Sequence, residues 1–443
     1  MQRSLAAMTA AGLPNWFARE QLAIADEKAG DKDNDPIRIG VIGIGSGGKG
    51  SKRSHMTSRA RQLINDIRNT KRRVQFTAAC DVDAVHLQEG ADALRAMGHS
   101  PKSFKDFREL NDCKDVDVVL VATPDQWHAL CAIDAMKKGK DVYCEKPLTL
   151  TVAEAQAILK VQKATNRVFQ TGSQQRSDGR FRLACELVRN GRIGKIHRVE
   201  CRIGGNPVGT FKPSPVPEGL DWDLWLGPCP KVDYVTERCH YQYRWWYEYS
   251  GGKMTDWGAH HLDIAQWGLG MDGNGPAAIE ATGDAPATAP HSYNCHPRFR
   301  VKYTYADGAV VIASDGTLKD TVGDRDGNGI LFVGEKNQWI FVNRGKISAS
   351  DPKLLSEPLA SNATKLEVSP GHMRNFFDCL KSRKLPICNA SVGASSVTIC
   401  HIGVIALRTG KKLKWDAAMQ QFDDADANAM LSRPYRAPWK LEV

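Results

Sequence analysis

The sequence has twelve cysteines but no C-x-x-C pair; they are scattered singly along 443 residues. That pattern offers no zinc-site spacing and, at this length, no disulfide framework. Cys80, Cys144 and Cys400 lie in apolar runs, where a thiol behaves as a small buried hydrophobe. No run of about 18 consecutive apolar residues occurs, so no segment reads as a membrane span. Internal repeats and low-complexity tracts are missing too, which argues against a solenoid or a linker-like chain. Acidic residues are scarce between 49 and 73, where nine Lys/Arg stand against Asp66 alone and supply most of the formal charge of +10. Aromatics are absent from that run, so it has no platform for stacked bases, and no nucleic-acid partner is expected. It is either a patch that attracts a phosphate-bearing cofactor or anionic substrate, or a solvated helix face.

What is present is the composition of an ordinary globular protein, 42% hydrophobic and 25% charged, long enough for two domains with a core each. Residues 1–18 (MQRSLAAMTAAGLPNWFA) form a short, weakly apolar run ending in a small residue. They read either as the back half of an export signal or as a frayed amphipathic helix. Only Arg3 stands where a twin-arginine signal places two. The first reading makes the protein periplasmic or exported, the second cytoplasmic. Residues 27–36 are a polar linker, so 1–36 are expected to be leader and linker.

From residue 37 the pattern is regular. Short apolar strands are expected at 37–42, 74–80, 116–122, 141–144 and 167–171, with helices at about 84–97, 127–138 and 152–165. Strands alternating with helices imply an α/β domain over 37–173, a Rossmann-type parallel sheet covered on both faces. Strands at 196–203, 298–305, 310–314, 329–333 and 339–342 follow, several with period-two alternation, then helices at 372–381 and 391–408. Residues 174–443 are therefore read as a second α/β domain on a large, mostly antiparallel open sheet. Such a sheet needs its face or edges covered, so a homo-oligomer formed through this domain is expected.

The run 41–50 reads VIGIGSGGKG, placing Gly43, Gly45 and Gly48 in a G-x-G-x-x-G directly after a strand. The first glycine allows the tight turn, the second lets backbone approach a pyrophosphate, and the third lets helix and sheet pack closely. The second strand ends at Asp81, which can accept hydrogen bonds from adenosine ribose hydroxyls and repels a 2′-phosphate; NAD is preferred on that ground. Gly48 and Asp81 are 33 residues apart, against about 20 in the usual fingerprint. The basic insertion between them keeps NADP open, because Lys52 or Arg53 could reach a 2′-phosphate.

Three further segments carry chemistry: ATPDQWH (122–128), GKDVYCEKPL (139–148) and GGKMTDWGAHHLD (251–263). Lys146 follows a parallel strand, at the edge where ligands bind in open α/β sheets, and can polarise a substrate hydroxyl or relay its proton. Residues 255–267 read as a helix with Thr255 as its N-cap. Asp256 and His260, at i and i+4, then share one face, with Asp263 nearly in line. His260 suits a general base near neutrality, and Asp256 can bind a substrate hydroxyl or complement the helix dipole. His261 points elsewhere. No metal is expected, since the Asp/His pair lacks further ligands at metal spacing. Between 222 and 249 nine Trp/Tyr are interleaved with Arg238, His240 and Arg244, a composition suited to a carbohydrate or to core packing.

With the glycine fingerprint, the Glu-Lys-Pro element and the Gly-Gly…Asp-x-x-x-His-x-x-Asp element in this order, the chain resembles the glucose–fructose oxidoreductase/inositol dehydrogenase/MocA family from about residue 37 to 409. The resemblance implies that Lys146, Asp256 and His260 form the catalytic set. It also implies that Glu145 lies at the cofactor, that Thr123 and Pro124 touch the dinucleotide through backbone, and that His128 lies nearby. Gln174 and Arg176 match a family segment that contacts cofactor or substrate or packs the domains; Trp245 is a candidate substrate contact. The expected activity is NAD(P)-dependent hydride transfer at a hydroxyl carbon of a sugar, polyol or glycoside. The alternatives are a glycosidase or sugar–sugar oxidoreductase with an internally recycled cofactor, and a non-catalytic dinucleotide sensor.

Overall fold

A computed structural model describes residues 2–10, 12–27, 35–45, 58–317, 322–323 and 326–443. The first sheet contains β1 (Ile37–Ile42), β2 (Val74–Cys80), β3 (Lys102–Phe104), β4 (Val118–Val121), β5 (Asp141–Cys144) and β6 (Phe169–Thr171). Their order is β3-β2-β1-β4-β5-β6 and every pairing is parallel. Successive side chains of a strand face opposite sides, and both sides here are dry. Val118 and Leu120 join Ile39, Val41 and Phe76 under one helical layer, while Val119 and Val121 join Ile42, Ala78 and Val142 under the other. That is why these strands are continuous apolar runs rather than alternating ones.

The second sheet contains β7 (Arg198–Arg202), β8 (Ala278–Gly283), β9 (Phe299–Thr304), β10 (Val310–Ser314), β11 (Gly329–Val333), β12 (Trp339–Val342), β13 (Ile347–Ala349), β14 (Leu413–Asp416) and β15 (Gln421–Phe422). The order is β13-β12-β11-β7-β10-β9-β8-β14-β15, antiparallel except for β7 with β10. Its inner residues, such as Val199, Val301, Val311 and Phe332, pack against helices Gly179–Arg189, Gly258–Leu269 and Ala390–Thr409. The last of these is long and apolar enough to cross a membrane by length and composition, yet most of it is buried inside the protein. It is a core helix: Ala390, Ala394 and Val397 pack with the first domain, and Ile399 to Leu407 with the second.

Two segments pack across the expected boundaries. Helix Asn15–Glu27 sends Phe17 into the second domain's core, beside Leu13, and the Trp16 indole donates to the Leu355 carbonyl (3.3 Å). The second half does not stay on its own sheet either, because helix His372–Ser382 lays Met373, Phe376 and Phe377 on the first one. The twelve cysteines are all free thiols, eleven of them buried.

Arg176 is a structural hub rather than a ligand contact. It forks onto Asp263 (2.8 and 3.0 Å) and Asp272 (2.6 and 2.8 Å), and Ser396 donates to Asp263 as well. Arg176 and Asp263 are fully shielded from solvent. Removing one partner of such a pair strands a buried charge, at a cost of about 3–5 kcal/mol. Arg176→Met is therefore expected to lower the free energy of urea unfolding by that amount. An unchanged unfolding midpoint with lost ligand affinity would return Arg176 to the binding site.

Candidate active site

A cleft of about 470 Å³ opens at the C-terminal ends of β1, β2, β4 and β5. The strand order reverses beside β1, and crevices at such a switch point are where open parallel sheets bind ligands. Gly43 and Gly45 line it with φ of +76° and +66°, values that side-chain-bearing residues avoid. A Cβ on Gly43 would also stand 2.9 Å from the Ala122 backbone. The Gly45 N–H donates to Asp81 (2.8 Å), and the other Asp81 oxygen accepts from the Asp83 N–H (3.0 Å). The acid that ends β2 therefore holds the glycine loop and still lines the cleft, though burial pushes its carboxyl up. Gly48, Lys52 and Arg53 lie outside the described residues. Backbone that can approach a pyrophosphate, beside a carboxylate that can accept from ribose hydroxyls, suits a dinucleotide.

Glu145 and Lys146 follow β5 at the middle of this rim. Glu145 is buried and accepts from Arg59 Nε (2.8 Å). Burial alone would raise its carboxyl, but the Arg59 guanidinium and the Lys146 ammonium outweigh it and hold the group below the usual carboxylate range. Lys146 reaches across to the second domain. Its Nζ donates to Asp256 Oδ1 (2.6 Å) and to the Asp256 carbonyl (3.1 Å). Arg244 Nε is 3.3 Å from the same Asp256 oxygen. Burial opposes the Asp256 charge, yet Lys146 and Arg244 together keep the carboxyl well below its ordinary value.

Asp256 and His260 do not share one uninterrupted helix. A short helix, Lys253–Asp256, ends at Trp257, and Gly258–Leu269 begins a new one. Thr255 is not an N-cap; its hydroxyl accepts from the Gly251 N–H (2.9 Å) and ties the turn together. Asp256, Trp257 and His260 nevertheless line the same cleft. His260 is buried, and its Nδ1 meets no partner among the described residues. Burial above all, then Lys146 and Arg344, push its imidazole well below the ordinary histidine range. It is a neutral base beside an ammonium that a carboxylate holds in place.

Thr123 and Pro124 line the cleft as well. His128 does not: it is buried behind the loops, with Nδ1 2.8 Å from the Pro147 carbonyl and Nε2 2.9 Å from that of Thr123. It braces the two loops against each other. Trp245 is also set back from the cleft, buried with its indole donating to Gln242 (2.6 Å). Most of the aromatic segment forms a packed cluster, whose Trp225 and Tyr243 reach the cleft wall beside the exposed Tyr241. Gln174 reaches the wall, 3.2 Å from the Tyr143 hydroxyl. Sequence reasoning missed Arg59, which was one cation in a basic run, and Arg344, which sits in the turn between β12 and β13 with no motif around it.

Residues 37–173 match the profile described as oxidoreductase family, NAD-binding Rossmann fold, and residues 204–441 match oxidoreductase family, C-terminal alpha/beta domain. Inositol 2-dehydrogenase of Salmonella paratyphi B is 30% identical over 212 residues, 46% of this chain and 58% of that protein. Myo-inositol 2-dehydrogenase of Thermotoga maritima is 28% identical over 236 residues, 53% of this chain and 56% of its own. The matched stretches thus span somewhat more than half the length of these curated relatives. The crystal structure of aldose-aldose oxidoreductase from Caulobacter crescentus, complexed with glycerol, superposes with a TM-score of 0.60 at 19% identity, covering 86% of this chain and 100% of that one. It shares the two-domain fold. The chain belongs to the Gfo/Idh/MocA oxidoreductase family, with the family's NAD-binding Rossmann domain at residues 37–173.

Proposed function

We propose that the protein is an NAD-dependent dehydrogenase that oxidises one hydroxyl of a sugar or polyol to a carbonyl. The observation that carries this reading is the meeting of Lys146, Asp256 and His260 in one cleft at the end of the Rossmann sheet. The named activity of the inositol dehydrogenases, oxidation of a cyclic polyol, agrees with it.

When bound, NAD supplies the acceptor for the hydride that leaves the carbinol carbon. Gly43 and Gly45 would let its pyrophosphate approach the backbone, Asp81 would accept from its ribose hydroxyls, and Thr123 and Pro124 line the same wall. The remaining chemistry belongs to the second domain and the end of β5. His260 is neutral at neutral pH, so a ring nitrogen can accept the hydroxyl proton as the C–H bond breaks. The Lys146 ammonium donates to the same oxygen and stabilises the negative charge that grows there. Asp256 stays ionised, which fixes the ammonium toward the substrate. Glu145 keeps Arg59 beside the loop and does not itself move a proton.

Mixing enzyme in excess with NAD and pools of sugars, polyols and glycosides tests the reading in one turnover. Lasting reduced-nicotinamide absorbance with an oxidised product is expected. Product formed with only transient absorbance would establish an internally recycled cofactor instead. Lys146→Ala is expected to lower hydride transfer by about 10²–10⁴-fold while NAD still binds; persistent turnover in this variant would remove Lys146 from the mechanism. Because burial depresses the His260 pKa, the protonated form is scarce until well below the ordinary value of about 6.5. The acid limb of kcat/KM should therefore fall well below pH 6.5. A limb at or above that value, unchanged in His260→Asn, would show that another group is the base.

A further inference from the structure

Among the described residues, the substrate end of the cleft carries more positive than negative charge. Lys146, Arg244 and Arg344 all line it, and the carboxylate facing them is Asp256. Asp256 is already shared between Lys146 (2.6 Å) and Arg244 (3.3 Å). The other acids of the wall are engaged elsewhere: Glu145 with Arg59, Asp106 with Arg108, and Asp81 and Asp83 with backbone N–H groups at the cofactor end. Arg344 has no hydrogen bond or ion pair among the described residues. Its guanidinium lies 4.8 Å from the centroid of the Trp257 ring, whose edge meets His260 at 5.8 Å. Lys253, next to the same turn, likewise has no ion pair among the described residues and rests 5.3 Å from the Trp245 ring. Lys253 is half-buried and Arg344 is exposed at the edge of the cleft; partial desolvation, then nearby cations, disfavour their charged forms, opposed by Asp256 for both and also by Glu145 and Asp178 for Arg344. A neutral polyol would leave this imbalance in place, and a positively charged nicotinamide would add to it.

We propose that the substrate is an anionic carbohydrate, with a carboxylate or phosphate seated on Arg344 and the neighbouring carbinol presented to His260 and Lys146. This rests on the dehydrogenase reading of the site and narrows its substrate class. A planar guanidinium offers two parallel N–H donors to such an anion, which fixes orientation as well as charge. Held at one end by Arg344, the substrate has a single hydroxyl-bearing carbon within reach of the base, so the anion also selects the carbon oxidised.

The test reads binding, not turnover, and so stands apart from the assay of hydride transfer. NAD-loaded protein is titrated with glucuronate, gluconate and glucose 6-phosphate, and with glucose and myo-inositol as neutral counterparts, following tryptophan fluorescence. At least one acid is expected to bind about tenfold or more tighter than its neutral counterpart, a preference that shrinks as salt rises. The sugar acids and the sugar phosphate separate carboxylate from phosphate as the anion. Arg344→Gln should abolish the preference with the Kd for NAD unchanged, and Arg344→Lys should restore part of it, since it keeps the charge but loses the fork. Equal binding of anionic and neutral compounds would overturn the proposal. So would an Arg344→Gln protein that keeps the preference and loses NAD, because Arg344 would then serve the cofactor. If the preference appears but no compound yields reduced nicotinamide, the dehydrogenase reading fails and the anion site stands.

Discussion

One ion pair joins the two halves of the molecule at the place where chemistry can occur. Lys146 comes from the end of a parallel strand and Asp256 from the turn before a helix on the other domain; they meet at 2.6 Å with little solvent on either. Taking both charges out of water is costly, and the attraction repays it only when further hydrogen bonds complete the geometry. Here the Asp256 carbonyl and Arg244 supply them. The pair therefore fixes the angle between sheet and turn, and with it the position of His260.

The same charges divide the roles of the titratable groups. Asp256 and Glu145 each sit beside cations and remain ionised despite burial. His260 is buried beside the same cations, and for a base burial first and the cations second favour the neutral form. Burial together with the local field thus yields fixed carboxylates and an imidazole able to accept a proton. Moving the field by one charge alters all three together, so single substitutions here will not be additive.

The parts legible in the sequence are those with a strong local signature. Continuous apolar runs bounded by turn residues located β1, β2, β4 and β5, and the glycines after β1 announced a turn that only they can make. Short elements were not legible: β3, β13, β14 and β15 have two to four residues, defined by the strand each pairs with, and three residues such as Lys102–Phe104 carry no period. His128 and Arg176 stand in motifs that suggest a place near the cofactor for one and leave ligand contact or domain packing open for the other, and their partners, the Thr123 and Pro147 carbonyls and Asp263 with Asp272, come together only in the fold. Arg344 is the opposite case, a residue in an unremarkable turn that the open sheet delivers to the cleft.

The cleft is braced from behind more thoroughly than it is satisfied within. Buried Asp125 accepts from Tyr243 (2.6 Å) and Ser250 (2.5 Å), binding the loop after β4 to the aromatic segment of the second domain. His128 holds that loop to the one after β5, and helix Ala390–Thr409 runs through both cores. Between these braces Lys146 and Arg244 stay pinned on Asp256, while Arg344 stands exposed on its turn at the edge of the cleft. A flexible wall would disperse those two pinned cations into water; a braced one keeps both on a single carboxylate, beside the base at His260.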